Sequence, residues 1–398
     1  MSLWIETAHR SLPRAGEEVC GEAVRTFQIE DRFGVVFASS AQGGERGQAE
    51  AAATAERALD MMRRGEMPAG VAEALIGRSP ATPPGGEEVA FSILDVVGGD
   101  EASLMECDTM PLCLIRGGEV AFLPLSEEVV HGRLLRSYCF QLRNGDYMVL
   151  VSQGYLHPRG WGWGWSDIAV AVRRWTDTGC DADELMSALL RTYHRLNPGA
   201  PRWDVTVVAM RVRPERHVTV WTGPPVDPAQ DELALRKLMA EQGTRVVCGG
   251  TTALIAARLL GAELKTEPRP EDGWAEVPPV SRLEEVDLVT EGLVTLGKAR
   301  ERLAGAGQAQ QAGDGQPSRG GYPRLPGGED GATRLARALL AADRIHFIVG
   351  LAVNPQQAED SGARGRTIDV RRPLRQGIVE ALVGDLKACG KLVSVEYL

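Results

Sequence analysis

The sequence predicts an α+β protein of two domains: a β-sandwich flanked by helices at residues 1–215, followed by an α/β domain at residues 216–398. Three observations predict this architecture. The chain has 398 residues, more than one ordinary hydrophobic core contains. Short β-branched runs separated by Gly-Gly and Asn-Gly turns fill the first half. After about Arg216, strands alternate with helices, which indicates a parallel sheet.

The first domain begins with a β-hairpin and contains two clear helical segments. The stretch RTFQIEDRFGVVFAS predicts a hairpin that turns near Asp31. One helix is predicted from about Gln48 to Arg64, and another from about Asp183 to Leu196, with Asp181 or Asp183 as its N-cap. Further strands are predicted at EEVAFSILDVV, EASLMEC, LCLIRGGEVAFLPL, RSYCFQL and DYMVLVS. Many strands and few helices favour the sandwich.

The second domain is predicted to be Rossmann-like. Its predicted strands HVTVWTG, TRVVCGG, VDLVTEG, RIHFIVG and KLVSVEYL are separated by helical segments. Residues 304–331 are rich in Gly, Gln and Pro and show no apolar periodicity. We interpret this segment as a flexible insertion inside the second domain rather than as the domain boundary.

Small polar residues follow four strands of the second domain. In an open parallel sheet, ligands bind beyond the carboxyl ends of the strands, and the free amides at the start of the CGGTT helix favour an anion. We therefore hypothesise a small anionic or nucleotide ligand. The alternative is that these residues only form turns and helix caps, and the motifs GxxxxGK[ST] and GxGxxG are absent. The candidate binding residues are Thr222, Gly223, Gly249, Gly250, Thr251, Thr252, Thr290, Glu291, Gly292 and Asn354.

Charge and cysteine content narrow the class of protein. The formal net charge is −10, from 44 basic and 54 acidic residues, which argues against nucleic acid or an anionic membrane as the main partner. No apolar run reaches the roughly 18 residues of a membrane span, and Glu6 interrupts the N-terminal segment where a signal peptide needs an apolar core. The seven cysteines are never spaced as CxxC. We expect a cytoplasmic protein with reduced thiols.

Five segments of the first domain resemble, in order, landmarks of the SpoIIE-type branch of the metal-dependent (PPM) serine/threonine phosphatases. They are AGEEVCGEA, FASSAQGGERG, MPLCLIRGGEV, NGDYMVLVSQGYLHP and RWDVTVVAMRV, and they span about residues 4–213. The resemblance implies a β-sandwich and a role in bacterial signal transduction. Some relatives of this type also look similar at VVCGGTT and DLVTEG in the second domain, but the resemblance supplies no activity for that domain.

The resemblance also implies a metal site, which this sequence alters. In the family, aspartates at strand ends hold two Mn²⁺ or Mg²⁺ ions, which activate a bridging water for in-line attack on the phosphate. Aspartate positions of the family fall on Ser39, Gln153 and Trp203, and a motif glycine falls on Ser40. Carboxylates remain only at Glu22 and Asp204, and we expect the Asp204 side chain to face the other side of its strand.

Loss of these aspartates predicts loss of the metal pair. One carboxylate attracts a divalent ion about 4 Å away by on the order of 8 kcal/mol at an effective dielectric constant near 20. Serine and glutamine are neutral oxygen donors and tryptophan is no ligand, so three such attractions are missing. We predict no bound metal, no other cofactor and no catalytic residue. Ser39 as a nucleophile is disfavoured because no His or Asp is positioned in sequence to activate it.

Three functions follow as hypotheses. The first is an inactive phosphatase-like regulator that binds a phosphoprotein partner, which the resemblance suggests is similar to an anti-sigma-factor antagonist. The second is an active phosphoserine phosphatase that uses Mn²⁺ or Mg²⁺ with non-standard ligands. The third is a ligand-sensing or enzymatic second domain. Whether the protein is an enzyme stays open between them.

Overall fold

The computed structural model of the chain describes residues 2–77, 89–156, 164–240, 242–268, 277–311, 325, 329–352 and 374–398. The chain packs as two compact units, Met1–Pro214 and Glu215–Leu398. Within the described ranges, no helix is both long enough and apolar enough to cross a bilayer.

Two antiparallel sheets form the first unit. The five-stranded sheet has the order β1 (Leu3–Leu12), β11 (Val205–Pro214), β10 (Tyr147–Val151), β6 (Cys113–Arg116) and β7 (Glu119–Val120). The six-stranded sheet has the order β2 (Glu22–Ile29), β3 (Arg32–Ser39), β4 (Ala90–Val97), β5 (Glu101–Cys107), β9 (Arg133–Gln141) and β8 (Leu125–Val130). Buried side chains from both sheets, among them Phe37, Leu104 and Met148, form the apolar core between them.

Helices cover the outer faces of both sheets. The six-stranded sheet packs against α1 (Gly44–Arg63) and α2 (Pro68–Ile76). The five-stranded sheet packs against α3 (Trp165–Thr176) and α4 (Ala182–Leu196). Strand β3 is apolar on both sides because one set of its side chains lies between the sheets and the other lies under α1. This is the β-sandwich flanked by helices that the sequence predicts.

The starts of α4 and α1 can be compared with the helix starts that the sequence predicts. The Asp181 carboxylate accepts the backbone N–H of Glu184 at 2.8 Å, so Asp181 rather than Asp183 caps α4. Helix α1 begins at Gly44, before the predicted start at Gln48. The sequence did not predict α2 and α3, which are shorter.

The second unit is built on a seven-stranded sheet. Its order is β14 (Lys265–Thr266), β15 (Ser281–Leu283), β16 (Val286–Thr290), β13 (Thr244–Cys248), β12 (His217–Thr222), β17 (Arg344–Val349) and β18 (Leu392–Tyr397). The last five strands in this order are parallel, and β14 and β15 form an antiparallel edge. Among the parallel strands β12 comes first in sequence but lies in the middle, so the order reverses between β12 and β17.

Helices lie on both faces of this sheet. One layer contains α5 (Asp231–Ala240) and α6 (Gly250–Leu260), and it shares a core with Trp221. The other layer contains α7 (Leu293–Gln311), α8 (Gly331–Ala341) and α9 (Leu374–Ala388), and it shares a core with Val220. Successive side chains of β12 therefore face opposite helix layers, as strand geometry requires.

The segment interpreted as an insertion, residues 304–331, begins as helix. Helix α7 continues to Gln311, and α8 begins at Gly331 with the Asp330 carboxylate as its N-cap. Residues 312–324 and 326–328 lie outside the described residues.

Candidate functional site

Glu22 is a buried carboxyl group surrounded by hydroxyls. The β2–β3 register places Glu22 directly opposite Ser39, and the Ser39 Oγ donates to Glu22 Oε1 at 3.0 Å. The hydroxyls of Thr206 and Ser152 also act on this carboxyl and favour its charged form. Glu22 is 6% exposed, and burial raises its pKa from 4.5 to about 7. Near neutral pH a substantial fraction of Glu22 is therefore protonated.

Asp204 is paired with a cation that the chain itself supplies. The Arg14 guanidinium donates to Asp204 Oδ2 through Nε at 3.0 Å and Nη2 at 2.6 Å. The backbone N–H of Arg14 donates to Oδ1 at 2.9 Å, so both carboxylate oxygens accept hydrogen bonds. The Asp204 side chain is 3% exposed and that of Arg14 is 21% exposed. Such charge-assisted bonds fix the carboxylate in one orientation.

The Asp204 carboxylate lies close to Glu22, contrary to the expectation that it would face the other side of its strand. A Cβ on Gly21 would lie 3.0 Å from Asp204 Oδ2, and the charge of Asp204 acts on Glu22. Asp204 precedes the first residue of β11, Val205, so the alternation of strand side chains does not determine its direction.

Trp203 and Gln153 lie next to Asp204 at the surface. The Trp203 ring is 45% exposed and has two guanidiniums near it, Arg14 at 5.9 Å and Arg202 at 5.7 Å from the ring centroid. A Cβ on Gly154 would overlap the carbonyl oxygen of Asp204, so the turn at Gln153 packs directly against this segment. The Gln153 side chain is exposed and donates to the carbonyl of Asp108 at 3.3 Å.

The Ser40 side chain forms hydrogen bonds with its own loop and with α1 rather than with the Glu22 cluster. Its Oγ donates to Glu50 Oε2 in α1 at 3.0 Å and accepts the backbone N–H of Gln42 at 3.2 Å. The loop lies so close to its neighbours that a Cβ on Gly21 or on Gly47 would overlap the Gln42 carbonyl oxygen. The second serine of FASSAQGGERG thus anchors the chain reversal to the first turns of α1.

Residues of the cluster that sequence reasoning missed include Arg14, Ser152 and Thr206. Arg14 immediately precedes the first landmark, AGEEVCGEA, but no spacing rule in one sequence connects it with Asp204, 190 positions later. Cys20 also lies here, and burial together with the charge of Glu22 raises the pKa of its thiol to about 12. The Cys20 thiol is therefore neutral and is a poor nucleophile.

These side chains do not fit a pair of divalent cations. Among the described residues, the two carboxyl groups at the centre of the cluster are already engaged: Glu22 accepts a hydrogen bond from Ser39 and has a raised pKa, and Asp204 is paired with Arg14. Across the described ranges, no group of three or more His, Cys, Asp or Glu side chains could hold a metal ion. Mn²⁺ and Mg²⁺ prefer anionic oxygen ligands, and a neighbouring guanidinium repels them.

The predicted ligand residues of the second unit lie side by side at one edge of the sheet. The register pairs Thr222 with Cys248 and with Val349, and pairs Cys248 with Thr290, so the carboxyl ends of β12, β13, β16 and β17 adjoin. Gly223, Gly249, Gly250, Thr251, Thr252, Glu291 and Gly292 follow these strand ends. Asn354 lies outside the described residues. Their role as ligand contacts stays a prediction.

The start of α6 is closely packed. Gly249 has φ 131°, a backbone conformation that residues with a side chain rarely adopt. Its N–H donates to the Thr290 carbonyl at 2.9 Å. The hydroxyls of Thr222 and Thr252 are buried and have no hydrogen-bond partner among the described residues. The Thr290 hydroxyl contacts Cys248 Sγ at 3.2 Å and Glu291 O at 3.0 Å.

The solved structures to which this chain is similar include phosphatase domains. The chain is similar to the phosphatase domain of the cell fate determinant SpoIIE from Bacillus subtilis, with 15% identity, a TM-score of 0.42, and coverage of 53% of this chain and 93% of that one. It is similar to RsbX in complex with magnesium, with 15% identity, a TM-score of 0.41 and coverage of 52% and 95%. It is also similar to the PP2C domain of SiaA from Pseudomonas aeruginosa, with 17% identity, a TM-score of 0.42, and coverage of 51% of this chain and 85% of that one.

The first unit has the sandwich of two sheets with outer helices that the resemblance to SpoIIE-type PPM phosphatases implies. Its two stacked sheets with outer helices carry the five landmark segments in order, and these bring Glu22, Ser39, Gln153, Trp203 and Asp204 to one corner. No family model and no curated protein matches the chain. At the identities found, the likeness concerns the fold alone, and no activity or partner passes from those proteins to this one.

Proposed function

We propose that this protein is a signalling regulator whose phosphatase-like first unit binds a phosphoprotein without hydrolysing it. The observation that carries the proposal is the ion pair between Arg14 and Asp204, which gives the altered metal site an internal cation. A cytoplasmic location belongs to the same proposal.

The Arg14 guanidinium balances the negative charge of Asp204. Asp204 is neutralised by Arg14, and Glu22 is partly neutralised by its own proton, so little negative charge is left to attract a divalent ion. A metal ion near Asp204 would have to displace two guanidinium hydrogen bonds and one backbone hydrogen bond. Without such an ion, no group in this cluster lowers the pKa of a water molecule toward neutrality.

The surface beside the ion pair suits an anionic side chain. Arg202 and the exposed ring of Trp203 lie next to the exposed Gln153 turn, which offers a guanidinium, an aromatic face and an amide together. A guanidinium recognises phosphate through paired N–H donors. We propose phosphoserine in a partner similar to an anti-sigma-factor antagonist as the group bound here.

A metal titration and a turnover assay test this proposal on the full chain. Calorimetric titration with Mn²⁺ should give no saturable heat assigned to the first unit, and a phosphoserine peptide should bind without release of inorganic phosphate. Phosphate release that requires Mn²⁺ and disappears in Glu22→Gln and Asp204→Asn would instead establish the active phosphatase with non-standard ligands. Arg63→Ala, which alters an exposed pair with Asp60 on α1, is the matched control.

For the second unit we propose a Rossmann-like module that senses a small anionic ligand. The order of its parallel strands, with β12 in the middle and helices on both faces, supports this proposal because doubly wound sheets bind ligands where the strand order reverses. Thermal-shift screening of nucleotides and phosphorylated metabolites tests it. A ligand that is turned over rather than only bound would favour the enzymatic alternative for this unit.

A further inference from the structure

We propose that the second unit binds the phosphate group of a small molecule between the carboxyl ends of β12 and β17, with Arg375 as the recognising cation. The inference rests on the proposed ligand-sensing function of this unit and deepens it in two ways. It names phosphate as the chemical class, and it moves the anion from the start of α6, favoured by the sequence, to the start of α9.

The position is the reversal point of the sheet. Strands β12 and β17 are neighbours, with Thr222 opposite Val349, and the chain after each strand turns away over glycine. The Gly350 N–H donates to the Thr222 carbonyl at 2.9 Å, which holds the two strand ends together. A crevice at such a reversal is where doubly wound sheets bind ligands.

Arg375 brings a partly buried positive charge to this point. Its Nη1 donates to the carbonyl oxygens of Gly350 at 2.8 Å and Ala352 at 3.4 Å. In the part of the chain that is described, no Asp or Glu forms an ion pair with Arg375, and burial lowers its pKa. Burying a guanidinium against carbonyl oxygens is destabilising unless a counter-charge joins it. A phosphate oxygen would supply that counter-charge.

Thr222 adds a buried hydroxyl that lacks a hydrogen bond. Its side chain alternates with Trp221 and therefore lies on the Val220 face of β12, the face that α9 covers. Thr222 is 0% exposed, and its Oγ1 has no partner among the described residues. Buried hydroxyls in native proteins nearly always have a partner, so an unsatisfied one at the end of β12 points to a missing polar group.

Gly223 brings the main chain into contact with the guanidinium. It has φ +81°, and a Cβ there would overlap Nη1 of Arg375. Thr222 and Arg375 are therefore adjacent to the same residue. Any side chain at position 223 would separate the strand end from the cation.

The first turn of α9 supplies hydrogen-bond donors at the same place. Arg375 is the second residue of this 15-residue helix, so it lies in the first turn, whose N–H groups have no acceptor within the helix. Helix α6 has no basic residue in its first turn, and Arg258 lies in its last turn, so no cation of this helix adds to the attraction of its N-terminus for an anion. A dipole alone attracts an anion more weakly than a dipole combined with a partly desolvated cation.

Binding of inorganic phosphate and pyrophosphate to the full chain tests the inference. Calorimetry should show saturable binding of pyrophosphate, and thermal unfolding should shift upward in its presence. Arg375→Gln should weaken this binding at least tenfold. Arg258→Gln, which removes a 68% exposed guanidinium paired with Asp231, should leave binding unchanged. Thr222→Val, which replaces the hydroxyl by a methyl group, should weaken binding about threefold or more.

The outcomes separate this inference from the proposal on which it rests. If neither phosphate nor pyrophosphate binds the wild-type protein, the proposed anionic ligand fails together with the inference. If pyrophosphate binds and Arg375→Gln retains full affinity, the inference alone is overturned; loss of binding in Gly249→Val would then locate the anion at α6. Should Arg375→Gln not fold, Thr222→Val decides, and an unchanged affinity in that variant overturns the inference.

Discussion

Arg14 holds the carboxylate of Asp204 with its Nη2 2.6 Å from Oδ2, although the two residues are 190 positions apart in the chain. The contact joins the segment before β2 to the residue before β11, at the corner where Glu22 and Ser39 also meet. A guanidinium carries a permanent single positive charge and presents its N–H donors in a rigid planar fork. It therefore neutralises the buried Asp204 carboxylate at this corner without a divalent ion.

The first prediction concerns the stability that this ion pair provides. In Arg14→Ala the Asp204 carboxylate, 3% exposed, would remain buried without its counter-charge. Removing one partner of a buried pair typically costs about 3 kcal/mol or more, and the partial exposure of Arg14 places the expected loss near the low end. Urea denaturation, followed by a probe in the first unit, measures the loss.

The matched comparison for Arg14 uses an exposed pair of the same unit. Arg63→Ala, on a pair with Asp60 at 3.4 Å, should change the free energy of unfolding by less than about 0.5 kcal/mol. Adding Asp204→Asn to Arg14→Ala should recover part of the loss because the unpaired charge is then gone. A double variant less stable than Arg14→Ala alone contradicts the account.

The second prediction concerns pH. The pKa of Glu22 is about 7 in the folded chain against 4.5 for an ordinary glutamate, so between these values the folded state binds more protons than the unfolded state. Stability must then fall as pH rises from about 4.5 to 7. One pKa unit corresponds to about 1.4 kcal/mol, so the loss is on the order of 3 kcal/mol. Glu22→Gln should be nearly as stable as wild type at pH 5 and more stable at pH 8.

The difference between wild type and Glu22→Gln isolates this group from others that titrate nearby. Burial also raises the pKa of Glu106 to about 7, but Glu106 is present in both proteins and cancels in the difference. Urea denaturation at pH 5 and at pH 8, with Mn²⁺ present, provides the four values. A carboxylate that held divalent ions would show the opposite trend, since its folded-state pKa would be depressed and stability would rise with pH.

Much of the fold could be predicted from sequence because its signals are local. The run FGVVFA, bounded by a turn and by small residues, reads as a strand buried on both faces, and β3 is one. The glycine-bounded strands of the second half likewise predict a parallel sheet. Helix α7 could not be bounded in the same way, because its last turns lie in Gly- and Gln-rich sequence without apolar periodicity.

The candidate site was only partly predictable, because its decisive contacts are between distant residues. Landmark motifs located Glu22, Ser39 and Asp204, which the structure brings together. Nothing in the sequence pairs Arg14 with Asp204, or Arg375 with Gly350, since such contacts depend on how strand ends stack. Strand alternation also gave the wrong side for Asp204, because the strand begins one residue later.

The third prediction concerns the close approach of the FASSAQGGERG loop to α1. A Cβ on Gly47 would overlap the Gln42 carbonyl oxygen and lie 3.2 Å from the Cα of Gly21, all of which are main-chain atoms that cannot rotate away. Gly47→Ala should therefore destabilise the first unit by about 1–3 kcal/mol. Gly70→Ala in α2 meets nothing within 4 Å and should instead stabilise by up to about 1 kcal/mol. Thermal unfolding of the two variants should shift in opposite directions.

The fourth prediction concerns the surface beside the ion pair, where Arg202 and Trp203 are proposed to meet a phosphoserine. A charge-assisted hydrogen bond contributes about 1.5–3 kcal/mol, so Arg202→Gln should weaken binding of a phosphoserine peptide by roughly tenfold or more. Arg173→Gln, on an exposed pair with Glu119 in the same unit, should leave binding unchanged. Calorimetric titration with the peptide measures the affinity of each variant. The same peptide without phosphate should bind wild type and Arg202→Gln equally weakly, whereas equal affinity of wild type for both peptides would rule out phosphate recognition at this surface.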